Sequence, residues 1–343
     1  MTIRNLDHLF APKSVALIGA SQRAHSVGAV LAHNLFEAGF AGPIMPVNPH
    51  GGAVGGVLAY PDVASLPATP DLAVIATPPP SVPELIGQLG ARGCRAAVVI
   101  TAGFGEGEDT TGRALSQAML DAARPHLLRI VGPNCLGVAV PGCGLDATFA
   151  HVAPQRGSIA FVTQSGAVAT AVLDWATARG IGFSHLVSLG DMSDVDFGDM
   201  LDYLANRSET HSILLYVEAV THARKFMSAA RAAARNKPVI VIKAGRHAAA
   251  AKAATSHTGA LAGADDVYDA AFRRAGMLRV RNLDELFAAV ETLARLQPIR
   301  GDRLAILTNG GGLGVLATDD LLDAGGRLAE LTPETRAALD KAL

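Results

Sequence analysis

The sequence predicts an α/β protein built from doubly wound parallel sheets, and three observations lead to this fold class. Short apolar runs rich in β-branched residues alternate with helix-length stretches along the whole chain. Such continuous apolar strands are typical of parallel sheets that are covered by helices on both faces. Three runs share one pattern, in which a strand ends in small or polar residues and leads into a helix. They start at Ser14, Ser158 and Arg303, 144 and 145 residues apart, which indicates three successive domains.

The first two predicted domains contain several further strands, whereas the third contains too few for a complete sheet. The first domain, residues 1–150, has predicted strands at 14–21, 43–47, 71–76, 96–100 and 127–131. The second, residues 151–300, has predicted strands at 158–166, 185–189, 212–217 and 238–244. Residues 301–343 supply a strand, a helix from about 313 to 324, a short strand near Leu328 and a last helix from Thr332. A sheet of the usual ~5 strands needs more chain, so we expect this domain to be incomplete.

Composition and charge exclude several classes of protein. Half of the 343 residues are hydrophobic and the formal net charge is −2, so no overall field would attract nucleic acid or an anionic membrane. The three cysteines, Cys94, Cys135 and Cys143, form no C-x-x-C pair, so neither a disulfide framework nor a metal site is predicted. Apolar runs stay shorter than the ~18 residues of a membrane span, and the N-terminus lacks an apolar signal segment. We therefore expect a cytoplasmic protein.

Loops at the carboxyl ends of the first domain's strands favour a ligand that carries phosphate. Gly19-Ala20-Ser21 follows the first strand and leads toward a helix, whose free amides and dipole would attract an anion. An NAD site is disfavoured, because G-x-G-x-x-G is absent and the second strand ends in Val47-Asn48-Pro49 instead of an acidic residue. Three more unusual loops, at 77–80, 101–106 and 132–137, occupy strand ends where α/β sheets bind ligands. The alternative is that Pro and Gly only mark helix starts here.

Taken together, the loops G-A-S, T-P-P-P, I-T-A-G-F-G-E and G-P-N-C-L-G resemble the CoA-binding domain of the NDP-forming acyl-CoA synthetases, relatives of succinyl-CoA ligase. The resemblance implies a Rossmann-like CoA-binding domain at 1–150, a flavodoxin-like ligase domain at 151–300 and the start of a second one at 301–343. The residues that it places along CoA are Gly19, Ala20 and Ser21 near the phosphates, Pro78, Pro79 and Pro80 along the adenine or pantetheine path, and Asn134 and Cys135 near the thiol. A small buried residue in a tight turn is the alternative role for Cys135, and the one we favour over a nucleophile.

His257 is the histidine with a context for catalysis. It lies in a segment of small residues, and S-H-T-G-A resembles the phosphohistidine loop of the ligase family. A neutral imidazole nitrogen accepts a phosphoryl group at pH 7 when an acceptor holds the opposite nitrogen. Glu218, which ends the apolar strand 212–217, is the candidate for that acceptor. The alternative role for Glu218 is a solvent-facing charge at a helix N-terminus.

Two helix N-termini are candidates for binding the phosphoryl group. Gln164-Ser165-Gly166 opens the helix after the second domain's first strand, and Asn309-Gly310-Gly311 opens the corresponding helix of the third. Glycine lets backbone amides approach an anion closely. Ser or Asn alone would be ordinary capping, but together with the His257 loop these segments resemble the paired helices that hold phosphohistidine in succinyl-CoA ligase relatives.

The resemblance implies an acid–thiol ligase that converts acyl-CoA and phosphate to a carboxylic acid and CoA through acyl phosphate and phosphohistidine. An ATP-grasp domain or β subunit would handle ADP, ATP and Mg²⁺, and small acids such as acetate and an oligomeric assembly are expected. The segments 190–205 and 223–246 also resemble fused proteins with a lysine acetyltransferase domain, so an acyl-CoA-binding regulatory region is the alternative. A non-enzymatic CoA-binding module would need neither His257 nor Glu218. Asp191 departs from the family, in which many members carry Asn after the same glycine.

Overall fold

The structure is a computed structural model, and it describes residues 3–105, 110–247, 264–295 and 301–342. The chain divides into two compact units, Met1–Ala294 and Arg295–Leu343. The large unit contains two sheets, and most of the predicted strands fall within one or two residues of their expected positions. None of the described helices combines the length and the apolarity that crossing a bilayer requires.

The first sheet is parallel and has five strands. The elements up to residue 131 are α1 (Leu6–Phe10), β1 (Val15–Ile18), α2 (Val27–Glu37), β2 (Ile44–Val47), β3 (Ala53–Val54), β4 (Val57–Leu58), β5 (Leu72–Ile75), α3 (Val82–Ala91), β6 (Ala96–Val99), α4 (Thr110–Ala123) and β7 (Arg129–Val131). The order across the sheet is β2-β1-β5-β6-β7, while β3 and β4 form a separate small hairpin. Successive residues of β1 enter different apolar clusters, Val15 and Leu17 one and Ala16 and Ile18 the other. Helices therefore cover both faces, as the continuous apolar runs predict.

The second sheet has seven strands in the order β14-β13-β12-β10-β11-β8-β9. Its elements are β8 (Gly137–Val140), β9 (Leu145–Thr148), β10 (Arg156–Thr163), α5 (Gly166–Thr177), β11 (Phe183–Ser188), α6 (Phe197–Ala205), β12 (Ser212–Val217), α7 (Ala223–Asn236), β13 (Val239–Lys243), α8 (Asp265–Ala275), β14 (Leu278–Val280) and α9 (Leu283–Arg295). The strands from β14 to β11 are parallel, whereas β8 pairs with β11 and β9 with β8 in antiparallel fashion.

The β8–β9 hairpin departs from the expected boundary at residue 150. It precedes that residue in the chain, yet it extends the second sheet through β11. Helix α2 of the first sheet packs on the hairpin, and the side-chain amide of Asn34 donates to the carbonyls of Thr148 and Ala150, both at 2.9 Å. One apolar cluster consequently runs from Val15 in the first sheet to Val162 in the second. The hairpin ties the two sheets into a single unit.

The small unit contains the predicted sequence of strand, helix, strand and helix. These elements are β15 (Arg303–Leu304), α10 (Gly311–Asp323), β16 (Arg327–Leu328) and α11 (Pro333–Ala342), and the two strands pair in parallel. Several of its large apolar side chains face solvent, among them Leu307 at 93% and Leu313 at 70% exposure. The described part of this unit thus has no buried core of its own.

Candidate functional site

A cavity of about 480 Å³ lies in the large unit where the carboxyl ends of strands from both sheets meet. The loops after β5, β6 and β7 line it from the first sheet, and those after β10, β11 and β12 line it from the second. Six residues that the sequence nominated share this wall: Asn134, Cys135, Gln164, Ser165, Gly166 and Glu218. Residues from two predicted domains are therefore brought together in one site.

Backbone hydrogen bonds join the loop after β7 to the loop after β11. The Asp191 amide donates to the carbonyl of Pro133 at 3.0 Å, and the Ser193 amide donates to that of Gly132 at 3.2 Å. The approach is so close that a Cβ atom on Gly190 would lie 2.1 Å from the Pro133 carbonyl oxygen. Gly190 also has φ +55°, which favours glycine. This glycine lets the two sheets share one site.

Asn134 and Cys135 occupy the tight turn after β7. Asn134 has φ +55°, its amide donates to the Thr101 carbonyl at 2.9 Å, and its side-chain amide donates to Asp191 Oδ1 at 3.3 Å. The Cys135 thiol is buried and donates to the Val99 carbonyl at 3.3 Å. Burial raises the pKa of this thiol to about 12, and the nearby Asp191 carboxylate adds to the shift. A thiol that stays protonated at neutral pH suits the structural role better than the nucleophilic one.

The N-terminus of α5 presents two backbone amides to the cavity. Ser165 caps the helix, because its hydroxyl accepts from the Val168 amide at 3.3 Å, while its own amide donates to Thr163 Oγ1 at 2.9 Å. The Gly166 and Ala167 amides, which belong to residues of the cavity wall, have no acceptor among the described residues. Two unused donors at the positive end of a helix suit an anion such as phosphate.

Gln164 supports the neighbouring loop through its side-chain oxygen. Its side-chain oxygen accepts hydrogen bonds from the amides of Glu218, at 2.6 Å, and Ala219, at 2.9 Å. These bonds hold the chain directly after β12, where the half-buried Glu218 carboxylate lines the cavity. Glu218 is thus a carboxylate at a strand end, held within reach of whatever enters the cavity.

Lys243 is a buried cation near this carboxylate that the sequence analysis missed. It ends β13, the strand beside β12, and only 2% of the residue is exposed. Its ammonium group lies 4.7 Å from the centre of the Tyr268 ring. Burial lowers the pKa of Lys243, while the charges of Asp265 and Glu218 oppose that shift. The only signal in the sequence was a lysine at the end of an otherwise apolar strand.

Other predicted residues lie beside the cavity or in other parts of the chain. Gly19 has φ +92°, and a Cβ there would lie 2.6 Å from the carbonyl oxygen of Ala76, which lines the cavity. Ala20 is buried and Ser21 accepts from the Arg23 amide at 3.0 Å. Thr77, directly after β5, lines the cavity. Pro78, Pro79 and Pro80 follow it in the chain, and Pro78 and Pro80 are exposed.

The remaining predicted residues lie in the small unit or outside the described part of the chain. Gly310 caps α10 in the small unit, where its amide donates to Thr308 Oγ1 at 3.0 Å, Gly311 begins that helix and Asn309 precedes the cap. His257 lies outside the described residues. In the cavity wall the structure adds Thr101, Phe149 and Asp191, which were not nominated as site residues. Phe149 follows β9, so the hairpin that crosses the expected boundary also delivers an aromatic side chain to the site.

Comparisons with known proteins agree with this architecture. Residues 13–141 match the family model of a CoA binding domain, and residues 156–293 match that of the succinyl-CoA ligase like flavodoxin domain. The alpha subunit of ADP-forming acetate–CoA ligase I from Pyrococcus furiosus is 41% identical over 92% of this chain and 69% of its own length. The ADP-forming acetate–CoA ligase I of Archaeoglobus fulgidus is 42% identical over 96% of this chain, which spans only 47% of that protein.

A solved structure extends the likeness to the fold. The dinucleotide forming acetyl-coenzyme A synthetase 1 of Candidatus Korarchaeum cryptofilum, solved with phosphate and ADP, superposes with a TM-score of 0.89 at 36% identity. The match covers 95% of this chain and 70% of that one. The predicted fold class and family resemblance are confirmed by these matches. The chain belongs to the ADP-forming acetate–CoA ligase family, in which it corresponds to the alpha subunit or alpha-type region.

Proposed function

We propose that this chain carries the CoA-dependent and phosphohistidine-forming steps of an ADP-forming acyl-CoA synthetase. The observation that supports this most directly is the shared cavity, where Asn134 and Cys135 of the CoA-binding half meet the α5 N-terminus and Glu218 of the ligase half. Acyl transfer from CoA to phosphate needs the thioester and the anion in contact within one pocket. A module that only bound CoA would need no carboxylate and no free helix amides at the thiol end.

In the first step a phosphate oxygen attacks the thioester carbonyl carbon. The carbon–sulfur bond breaks, the CoA thiolate leaves and takes a proton, and acyl phosphate remains. The Gly166 and Ala167 amides, which belong to residues of the cavity wall, would donate to the phosphate oxygens, and their fixed orientation would stabilise negative charge without reorganisation. Gly19, Ala20, Ser21 and the three prolines would hold the remainder of CoA along the first sheet.

In the second step a ring nitrogen of His257 attacks the phosphorus of acyl phosphate. The bond between phosphorus and the acyl oxygen breaks, and the carboxylic acid is released. Glu218 accepts a hydrogen bond from the opposite ring nitrogen, which keeps the attacking nitrogen unprotonated. The resemblance assigns Asn309, Gly310 and Gly311, at the N-terminus of α10, to the same phosphoryl group, to which their amides would donate.

The remaining step, phosphoryl transfer to ADP, requires a nucleotide-binding site. An ATP-grasp domain or β subunit would pass the phosphoryl group from His257 to ADP, with Mg²⁺ bound alongside the nucleotide. A small carboxylic acid such as acetate is the expected product. We place the protein in the cytoplasm as an oligomer that binds neither nucleic acid nor a membrane. An acyl-CoA-binding regulatory region of a lysine acetyltransferase is the second candidate, and it predicts binding without phosphorylation.

The test is nucleotide-free phosphorylation of the purified chain by acetyl-CoA and labelled inorganic phosphate. We expect an acid-labile phosphoryl group on His257, released CoA thiol, and loss of the label in His257→Ala. His151→Ala is the matched control, because that histidine is exposed and is not among the residues that line the cavity. Its Nε2 lies 2.8 Å from Asp174 Oδ1. Glu218→Gln should slow labelling without abolishing it. Saturable CoA binding with no label in the parent chain would favour the regulatory alternative.

A further inference from the structure

Lys243 places a positive charge inside the ligase half, beside the strand that Glu218 follows. It is the last residue of β13 and lies in register with Val217 of β12, the residue directly before Glu218. The Ala244 amide continues this pairing by donating to the Val217 carbonyl at 2.9 Å. Only 2% of Lys243 is exposed, so its ammonium group is shielded from water. A buried cation and a carboxylate of the cavity wall therefore lie at the ends of neighbouring strands.

The ammonium group of Lys243 forms no ion pair with any of the described residues. It donates to the carbonyl of Ala244 and lies 4.7 Å from the centre of the Tyr268 ring. The Tyr268 hydroxyl accepts from the Val220 amide at 3.4 Å, so this ring joins Lys243 to the loop that contains Glu218. The face of an aromatic ring attracts a cation without cancelling its charge. The charge of Lys243 is therefore available to act on groups around it.

Burial lowers the pKa of Lys243, and three charged groups also act on it, Asp265, Arg279 and Glu218. Asp265 begins α8 and already pairs with Arg279 of β14, at 2.5 Å. Glu218 is on β12's side of Lys243 and lines the cavity. Tyr216 of β12 also interacts with Glu218, and burial together with that carboxylate raises the pKa of Tyr216, so this phenol stays neutral. Since Asp265 has its own cation, Glu218 is the carboxylate on which the charge of Lys243 has a chemical consequence.

Glu218 has to be ionised to accept a hydrogen bond from the histidine ring in the proposed reaction. A phosphoryl group that enters the cavity brings negative charge, and like charge favours protonation of a half-buried carboxylate, whereas a nearby cation favours its ionised form. We propose that Lys243 is a positioning residue that keeps Glu218 ionised, and so able to orient His257, while phosphohistidine forms. This inference rests on the proposed function, because it concerns the same carboxylate and the same reaction.

Four proteins test this role: the parent chain, Lys243→Met, Glu218→Gln and the double variant. Methionine is close to lysine in length, carries no charge and removes the cost of burying one. Glutamine does not ionise, so a residue that acts through Glu218 should lose its influence when glutamine replaces this glutamate. All other contacts of residue 218 are shared by the two proteins of each pair, and they cancel when the rates with and without Lys243 are compared.

The readout is the initial rate at which the full chain forms phosphohistidine from acetyl-CoA and labelled phosphate, without nucleotide and with quenching in alkali. Rates are measured from about pH 8 to about pH 4.5, where carboxylates become protonated. The rate of Lys243→Met relative to the parent should fall at least about threefold over this interval, because a nearby cation lowers the pKa of a carboxylate by about 1–3 units. The rate of the double variant relative to Glu218→Gln should change by less than about twofold. Protonation of phosphate or of His257 affects both comparisons alike.

Lys13→Met is the matched control for loss of a lysine. That residue is exposed and precedes β1, at the end of the first sheet opposite the cavity, so the rate relative to the parent should be independent of pH. Where Lys243→Met does not unfold cooperatively in urea, Lys243→Gln takes its place, because glutamine is neutral and still donates a hydrogen bond. Failure of both variants to fold would overturn the inference, since the charge would then serve stability.

The outcomes separate this inference from the proposed function. A parent chain that is labelled, with the same pH dependence of the Lys243→Met effect whether residue 218 is Glu or Gln, would overturn the inference and leave the proposed function intact. A loss of rate that is equal at every pH would do the same, because it would indicate a purely structural role. A parent chain that binds CoA but acquires no label would overturn the proposed function and the inference with it.

Discussion

Replacing Gly190 with alanine would place a methyl group against the loop that carries Asn134. Two costs follow from the structure. Gly190 has φ +55°, a left-handed conformation that costs a residue with a side chain about 1–2 kcal/mol. The new Cβ would also lie 2.1 Å from the Pro133 carbonyl oxygen and 2.4 Å from that of Asn134, so the loops must separate. Forcing an extra methyl group into a packed site costs about 1–3 kcal/mol.

A second glycine in the same unit isolates the contact from the backbone strain. Gly180 has φ +65°, and nothing lies within 4 Å of a Cβ built there. Gly180→Ala therefore pays the left-handed strain without the steric clash. Both substitutions also reduce the freedom of the unfolded chain by a similar amount, about 0.4–1 kcal/mol, which cancels in the comparison. We expect Gly190→Ala to be less stable than Gly180→Ala by about 1–3 kcal/mol.

The assay is urea unfolding followed by the fluorescence of Trp175, the single tryptophan of the chain. Its ring stacks on Phe287 with centroids 4.3 Å apart, so its emission reports whether the ligase half is folded. Gly190→Ala should also lose CoA release, because it separates Asn134 from Asp191, whereas Gly180→Ala should keep it. Equal free energies of unfolding for the two variants, within about 0.5 kcal/mol, would refute the steric account of the shared site.

Two further predictions concern buried groups that titrate. Cys135→Ala should retain CoA release within a factor of about two, because a thiol with a pKa of about 12 is not ionised at neutral pH. A loss beyond a hundredfold would instead indicate a nucleophile. Burial raises the pKa of Asp146 to about 6 from 3.8. The unfolded chain therefore ionises first, and this group's contribution to stability falls by about 2–3 kcal/mol as pH rises from about 4 to about 6. Asp146→Asn lacks this decline, so its free energy of unfolding should gain on the parent's across that interval, measured by urea unfolding at each pH. The neutral His185, whose pKa burial lowers to about 4, gives the opposite slope in both proteins and cancels in the difference. A difference that stays constant from pH 4 to 7 would contradict the assignment to Asp146.

The sequence predicts the strands well because the buried strands of a doubly wound fold are short apolar runs of sequence. β1, β5, β6 and β12 lie where such runs occur, and the polar loops that follow them reach the cavity or its border. The role of Cys135 as a buried small residue was also foreseeable from its tight turn. His257 and the segment from Asn309 to Gly311 remain predictions about the phosphoryl path.

The tertiary structure decided which of these loops meet. The β8–β9 hairpin pairs with β11 across the expected domain boundary, and pairing between distant strands depends on packing that local periodicity does not encode. Likewise Asp191 and Asn134 are 57 residues apart in the chain, and their contact exists because Gly190 permits two loops to touch. The sequence predicts Gln164 as part of the α5 N-terminus, whereas only the structure shows that its side-chain oxygen accepts from the amides of Glu218 and Ala219, because β10 and β12 lie side by side. Composition and periodicity determine the elements and their chemistry, whereas the packing of the two sheets against each other decides which side chains form the site.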